Sequence, residues 1–315
     1  MKQSLLLLCF TVTVMTAKTQ SKSDSIANLV NYYHDNGMFS GAVLVANGNN
    51  IVYKGAVGMA NHEWQIPNTT QTRFRLGSVT KQFTAVLILQ LVQEGRLSLN
   101  GKITDYLTNY RKETGSQVSI HHLLTHSSGI PNYTDNESFF PNSVKPYNVI
   151  DFVRIYCSGD LEFEPGAEFS YSNSGYFILG AILEKMTGKT YEQILKQRIL
   201  EPLGMKQTGY DMHEYIIPGR ASGYENKLSG YQHASYLNMG LPYSAGSLYS
   251  SVEDLMIWNQ ALYGNRLLAD SLKRKMFDGY LELDKNIKAG YGWYIPKFQT
   301  PQTNKVNWKN WPNVG

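Results

Sequence analysis

Residues 78–94 constrain the fold more than any other stretch of this chain. Phe83, Ala85, Val86, Leu87, Ile88, Leu89, Leu91 and Val92 make the segment apolar on most sides, and a helix apolar all round belongs in the centre of a large protein. Gly95 ends it. Lys81 interrupts the pattern near the start, where a charge among apolar neighbours needs a reason. The chain has the material for such an interior. Its 315 residues are 42% hydrophobic and 17% charged, which suits one large domain or two small ones and excludes a disordered chain.

The reason for the lysine lies three residues earlier. In Leu76-Gly77-Ser78-Val79-Thr80-Lys81, Ser78 and Lys81 share one helix face, so their side chains can meet. A serine hydroxyl is a poor nucleophile near neutral pH and needs a base within hydrogen-bond reach. Lysine can be that base if burial and the positive end of a helix push its pKa down. The start of a buried helix supplies both effects, and offers the Ser78 backbone N–H to a developing oxyanion. The bare spacing is weak, since chance alone gives it about once in a chain this long. An N-cap serine beside a surface lysine would read the same way. Position inside an apolar helix is what favours chemistry.

Around this helix the pattern predicts a mixed α/β fold. Residues 24–36 read as an amphipathic helix. Gly41–Ala46 and Ile51–Val57 read as strands joined by Asn47-Gly48-Asn49-Asn50, a hairpin signal. Residues 173–187, 190–200 and 252–263 are the best helices of a middle that is otherwise short helices and loops. Ser251 is the expected N-cap of the last, with Asp254 three residues on. Tyr291–Ile295 and Val306–Trp311 return to β character. Strands at both ends imply an antiparallel sheet flanked by helices and completed by non-local pairing, beside a helical region inserted between early and late strands.

The first residues read as a leader. Lys2, an apolar run from Leu5 to Met15 and Thr16-Ala17 describe a secretory signal peptide, expected to be cut near Ala17. The run is too short to span a membrane. Residues 18–23 form a short polar leader, and residues 24–315 one continuous domain. An exported protein, periplasmic or secreted, is the expectation. Removing residues 1–17 leaves Cys157 as the only cysteine, so neither a disulfide framework nor a cysteine zinc site is expected; Cys157 reads as a small core residue of an apolar helix. The net charge of +4 is scattered, apart from short runs such as Lys273-Arg274-Lys275, which gives no footprint for nucleic acid.

A second constellation follows in Glu164-Pro165-Gly166-Ala167-Glu168-Phe169-Ser170-Tyr171-Ser172-Asn173. Other Tyr-x-Asn triplets occur, but only Tyr171 follows Pro-Gly and precedes a helix. A turn followed by this pair presents a phenol able to relay protons and an amide able to bind a substrate carbonyl. With these residues the chain resembles the β-lactamase-related serine hydrolases: class C β-lactamases, low-molecular-mass D-Ala-D-Ala carboxypeptidases and their esterase relatives. Phe74-Arg75-Leu76-Gly77-Ser78-Val79-Thr80-Lys81 matches the first motif, and Pro165-Gly166 through Tyr171-Ser172-Asn173 the second. His122-Leu123-Leu124-Thr125-His126-Ser127-Ser128-Gly129-Ile130-Pro131 resembles the connecting segment, and Ala245-Gly246-Ser247-Leu248 with Ser250 and Asp254 the later loop and helix.

The resemblance implies that Ser78 forms an acyl-enzyme, Lys81 takes its proton, and Tyr171 shuttles a proton to the leaving group. It implies that Asn173 orients both the substrate amide and Lys81. No cofactor or metal is expected, and the partner is a small-molecule or peptide substrate: a β-lactam, a D-amino-acid peptide or a carboxylic ester. The third motif, Lys or His, a variable residue, then Gly, is missing after Gly290-Tyr291-Gly292-Trp293. A C-terminally incomplete domain, a fragment of a longer reading frame, is therefore the expectation. The alternative function is a non-catalytic penicillin-binding-like protein or an inactive truncated fragment.

Other chemistries fit worse. No serine sits in a Gly-x-Ser-x-Gly frame. His62-Glu63 and His213-Glu214 lack a second histidine four residues after the first. His121, His122 and His126 have no acidic or cysteine cluster beside them, and read as structural hydrogen-bonding residues.

Overall fold

The computed structural model describes residues 21–297; the expected leader up to Gln20 and the Val306–Trp311 segment lie outside these residues. The fold is mixed α/β, as the pattern predicts. Its centre is the helix Thr80–Gln93, entered through a 3-10 turn at Gly77–Val79, with Thr80 to Leu89 and Leu91 buried. Thr80, Gln82 and Thr84 do not break the core, because each has a partner. The Thr80 hydroxyl accepts from the Leu248 N–H at 3.2 Å, Thr84 donates to the Ser244 carbonyl at 2.6 Å, and the Gln82 amide oxygen accepts from the Trp258 indole at 3.1 Å. Phe83 stacks on the same indole with ring centroids 4.0 Å apart. Buried polar atoms paired in this way cost little.

Asn173–Thr187, Tyr191–Leu195, Tyr243–Gly246 and Asp270–Phe277 pack on this helix, as does Val252–Tyr263 through Trp258. Asn173–Thr187 has the predicted bounds, capped by the Ser172 hydroxyl and closed by Gly188 in the left-handed conformation. Gly180 on this helix lets the Tyr243–Gly246 turn lie directly against it, since a Cβ there would overlap the Ser244 hydroxyl and the Tyr243 ring. Val252–Tyr263 also has the predicted bounds, with Ser251 as N-cap. Asp254 does not reach back to complete the box; its carboxylate accepts from the Gln207 N–H and the Thr208 hydroxyl. The predicted 190–200 helix runs as Tyr191–Leu195, a wider π turn at Lys196–Leu200, then Glu201–Leu203.

Among the described residues every strand pairing is antiparallel, distributed over five small sheets. Gly41–Asn47 and Asn50–Val57 form the expected hairpin around a two-residue turn. The N-terminal helix, Lys22–Asp35, packs on it and begins before the apolar pattern because Ser21 and Asp24 form a capping box. Among the described residues the early hairpin and the late strands Leu281–Asp284, Ile287–Ala289 and Tyr294–Pro296 lie in separate sheets. Non-local pairing is instead found where Leu248–Ser250 joins Phe74–Arg75 to Gly209–Tyr210. Cys157 is buried at the end of the helix Val149–Tyr156 rather than within it, and burial pushes its thiol up to about 12. That helix is only half covered, for Ile150 and Ile155 on it are exposed.

The predicted strand Tyr291–Ile295 is corrected to Tyr294–Pro296. Gly290 to Trp293 close a turn, with the Gly290 N–H on the Trp293 carbonyl at 2.8 Å and Gly292 at φ +78°. A Cβ on Gly292 would stand 2.9 Å from the Lys81 carbonyl oxygen and 3.1 Å from the Gln82 nitrogen. The turn thus seats on the backbone of the central helix at Lys81. Gly292→Ala combines a left-handed alanine with this overlap, and is expected to destabilise the fold by about 2 kcal/mol, read as a lower urea midpoint. Wild-type stability in that variant would remove the contact from the account of the fold.

Candidate active site

Two non-local tethers hold the start of the central helix in place. The Leu76 N–H donates to the Leu248 carbonyl at 2.8 Å, and Arg75 Nε donates to Asp211 Oδ2 at 2.8 Å. Asp211 is fully buried, receives Arg220 on its other oxygen, and donates its own N–H to the Ser247 carbonyl at 2.7 Å. Removing one partner from a buried charge cluster is costly, so the strand before Ser78 and the loop after Ala245 are fixed to one another. From that base the 3-10 turn presents Ser78 to solvent, while Lys81 points inward and is 2% exposed.

The predicted residues converge. Lys81 Nζ lies 3.1 Å from Ser78 Oγ, 2.8 Å from Asn173 Oδ1 and 2.8 Å from the Ala245 carbonyl oxygen. The Tyr171 hydroxyl is 2.6 Å from Ser78 Oγ. Burial pushes Lys81 down to about 7. A neutral amine has two N–H donors and one lone pair. The amide and peptide oxygens can only accept, so they take the two donors and the lone pair is left facing the Ser78 hydroxyl. Tyr171 is held above the usual phenol range by burial, partly offset by its bond to Ser78; it stays protonated and can donate. The Lys81 amine also lies 4.9 Å from the Tyr171 ring centroid and 5.6 Å from that of Tyr176. Those ring faces favour the cation, and desolvation outweighs them.

Asn173 is placed by its neighbours, its N–H donating to Asn132 Oδ1 at 3.0 Å. His121, His122 and His126 all take part in hydrogen bonds within the fold. His121 Nδ1 pairs with the Tyr291 hydroxyl at 2.8 Å, and His122 Nδ1 accepts from the Ser119 N–H at 3.3 Å. His126 is nearer the chemistry, with its ring stacked on Tyr171 at 4.7 Å. Three contributors were not legible: the Ala245 carbonyl, Asn132 and the Gly292 turn. A backbone acceptor has no sequence signature, and the other two gain meaning only from contacts across the fold. The site presents a hydroxyl, an amine, a phenol and an amide, a set suited to acyl transfer rather than to metal binding.

Lys81 also fixes a stability dependence on pH. Its folded-state pKa of about 7 lies below the ordinary lysine value of 10.5. Between those values the unfolded chain binds the extra proton, so stability rises with pH by about 1.4 kcal/mol per unit. Below pH 7 the burial penalty is fully present, and at pH 10.5 it is gone. Urea unfolding of wild type and Lys81→Met at pH 7, 8, 9 and 10 should show the difference moving steadily in favour of wild type. A difference independent of pH would mean that Lys81 keeps its proton.

Known proteins resemble this chain over most of its length. The Beta-lactamase family model matches residues 26–304. Penicillin-binding protein 4* of Bacillus subtilis is 29% identical over 313 residues, which cover 91% of this chain and 66% of that protein. The chain thus spans about two thirds of that curated relative's length. A penicillin binding protein from Bacillus halodurans superposes with a TM-score of 0.77 at 29% identity, over 85% of this chain and 82% of that one. A D-amino acid amidase from Ochrobactrum anthropi does so with a TM-score of 0.75 at 25% identity, over 86% and 80%. A family model that runs through the serine–lysine turn, the Tyr171 loop and the Gly292 turn alike leaves one assignment: the chain belongs to the beta-lactamase family.

Proposed function

We propose that the protein is a serine hydrolase that works through an acyl-enzyme on Ser78 and acts on an amide or ester. One observation carries the reading: a buried amine with both N–H donors engaged by carbonyl oxygens faces the hydroxyl of Ser78 at 3.1 Å. In the first step Lys81 Nζ takes the Ser78 proton as Oγ bonds to the substrate carbonyl carbon. The carbonyl π pair moves to oxygen, beside the Ser78 N–H at the start of the helix. As the carbonyl re-forms, the bond to the leaving group breaks, and the Tyr171 phenol supplies its proton and recovers one from the Lys81 ammonium. Water then attacks the ester, giving the acid and restoring Ser78. Asn173, fixed by Asn132, can donate its amide N–H groups to a substrate carbonyl, because its oxygen already accepts from Lys81.

A penicillin-binding protein and a D-amino acid amidase among the similar structures support acyl donors such as β-lactams and D-amino acid amides; carboxylic esters stay within the proposal. Export by the leader in residues 1–17 belongs to the same proposal; the N-terminal sequence of the extracytoplasmic protein tests it.

Fluorescent penicillin and a fluorophosphonate should label the wild type, and Ser78→Ala should abolish labelling by both. Labelling that survives the substitution would remove Ser78 from the mechanism; an unlabelled wild type would favour a non-catalytic protein. The acylation rate should rise through about pH 7 as Lys81 loses its proton, with no second rise below pH 6. A panel of a chromogenic cephalosporin, a D-alanyl-D-alanine peptide, a D-amino acid amide and a short-chain ester distinguishes the substrate classes. In every one, Lys81→Met should slow acylation by at least about 10²-fold.

A further inference from the structure

His126 makes more contacts to the Tyr171 loop than a core histidine needs. Its carbonyl accepts from the Ser170 N–H at 2.8 Å, and its Nδ1 accepts from the Ser172 N–H at 3.1 Å. Main chain and side chain therefore hold the residues on either side of Tyr171. Between them the imidazole stacks on the Tyr171 ring, 4.7 Å between centroids and 28° between planes. Tyr176 lies 5.0 Å away on the same ring system and Phe169 meets it edge-on at 5.8 Å. The residue is 5% exposed and takes φ +56°, a left-handed conformation that costs of order 1–2 kcal/mol in a non-glycine residue.

We infer that His126 is a positioning residue for Tyr171: a neutral imidazole that clamps residues 170–172 and holds the phenol on Ser78 Oγ. The inference rests on the acyl-enzyme reading given above. Nδ1 must be unprotonated to accept from Ser172, which puts the single ring proton on Nε2. The groups that face the ring are Lys81, Tyr171 and Tyr176, besides the Ser172 N–H and the Phe169 ring. Burial and the Lys81 charge push the imidazole down to about 3, so the clamp holds across the working pH range. A protonated ring would lose the Ser172 bond and repel the Lys81 ammonium that Tyr171 draws its proton from. The φ +56° backbone aims the ring; a relaxed backbone would point it elsewhere.

A double-mutant cycle tests the clamp, with fluorophosphonate labelling of Ser78 as the rate. His126→Ala should slow labelling by about 10²-fold, the loss expected from misplacing a reacting group by about 1 Å. His126→Asn keeps an acceptor for the Ser172 N–H and tolerates the left-handed backbone, and should recover about tenfold. In a Tyr171→Phe background His126→Ala should cost less than about threefold, because a residue acting through another loses its effect when that residue is gone. Equal losses in both backgrounds would overturn the proposal, as would full activity in His126→Ala. If His126→Ala does not fold, His126→Asn runs the same cycle. The wild-type imidazole is followed independently by nitrogen NMR, and should keep its proton on Nε2 without titrating from pH 9 to pH 5. A ring that protonates above pH 5 would overturn the clamp whether or not the protein labels. A protein that fails to label while its imidazole behaves as stated would instead count against the acyl-enzyme reading.

Discussion

The withdrawal of one amine from water organises this molecule. Lys81 could form its ion anywhere on the surface at no cost; 2% exposed, it loses most of its hydration and the neutral form gains. The surrounding protein does not restore the charge. Among the described residues no carboxylate is a hydrogen-bond partner of this amine; its partners are a hydroxyl, a side-chain amide and a peptide carbonyl. An Asp or Glu at any of those places would raise the amine back toward its ordinary value and fill the lone pair that faces Ser78. Neutral acceptors orient the amine without charging it.

Two of those partners come from distant parts of the chain, so the site requires the fold to solve a closure problem. Ser78 and Lys81 are local, but Asn173 and Ala245 are 92 and 164 residues away from the lysine. The small sheet built on Leu248–Ser250 brings the second of these in, because the strand pairs with Phe74–Arg75 immediately before the helix. The Thr80 hydroxyl then takes the Leu248 N–H, so the same few residues end one sheet and begin the helix. Opposite, the Gly290–Trp293 turn rests on the Lys81 backbone. The amine is therefore held through its main chain as well as its side chain, which keeps a long, otherwise rotamer-rich residue in one conformation.

What the sequence revealed follows the same division. Two helices whose ends carry local chemistry were readable to the residue: Ser172 and Gly188 bound one, Ser251 another. Ser78, Lys81, Tyr171 and Asn173 were legible because each pair sits within a few residues on a turn or a helix start. The misread strand at Tyr291–Ile295 shows the limit. Tyr, Trp and Ile there carry β propensity, yet Gly292 turns the chain to fit a backbone that belongs to residue 81, and propensity yields to such a contact. The Ser251 cap shows another limit. The sequence offered Asp254 as the reciprocal partner, but the carboxylate satisfies Gln207 and Thr208 instead, groups that no local window contains.

Lys81, His126 and Tyr171 share this pocket, and burial acts on all of them with one physical cause but different results. It disfavours charge, which lowers the cations and raises the phenol. Lys81 falls to about 7, His126 to about 3, and Tyr171 rises above its ordinary range. At neutral pH the imidazole is then neutral, the phenol is intact, and only the amine is close enough to its midpoint to exchange protons. Environments that separate neighbouring pKa values also separate roles: a fixed neutral clamp, a fixed donor and one group that titrates. Water admitted to the pocket would move all three back toward their ordinary values together, with the amine charged and the imidazole within reach of a proton. Dryness behind Ser78, more than any single side chain, is thus the condition on which the proposed chemistry depends. The aromatic wall of Phe169, Tyr171 and Tyr176 around His126 is what maintains it.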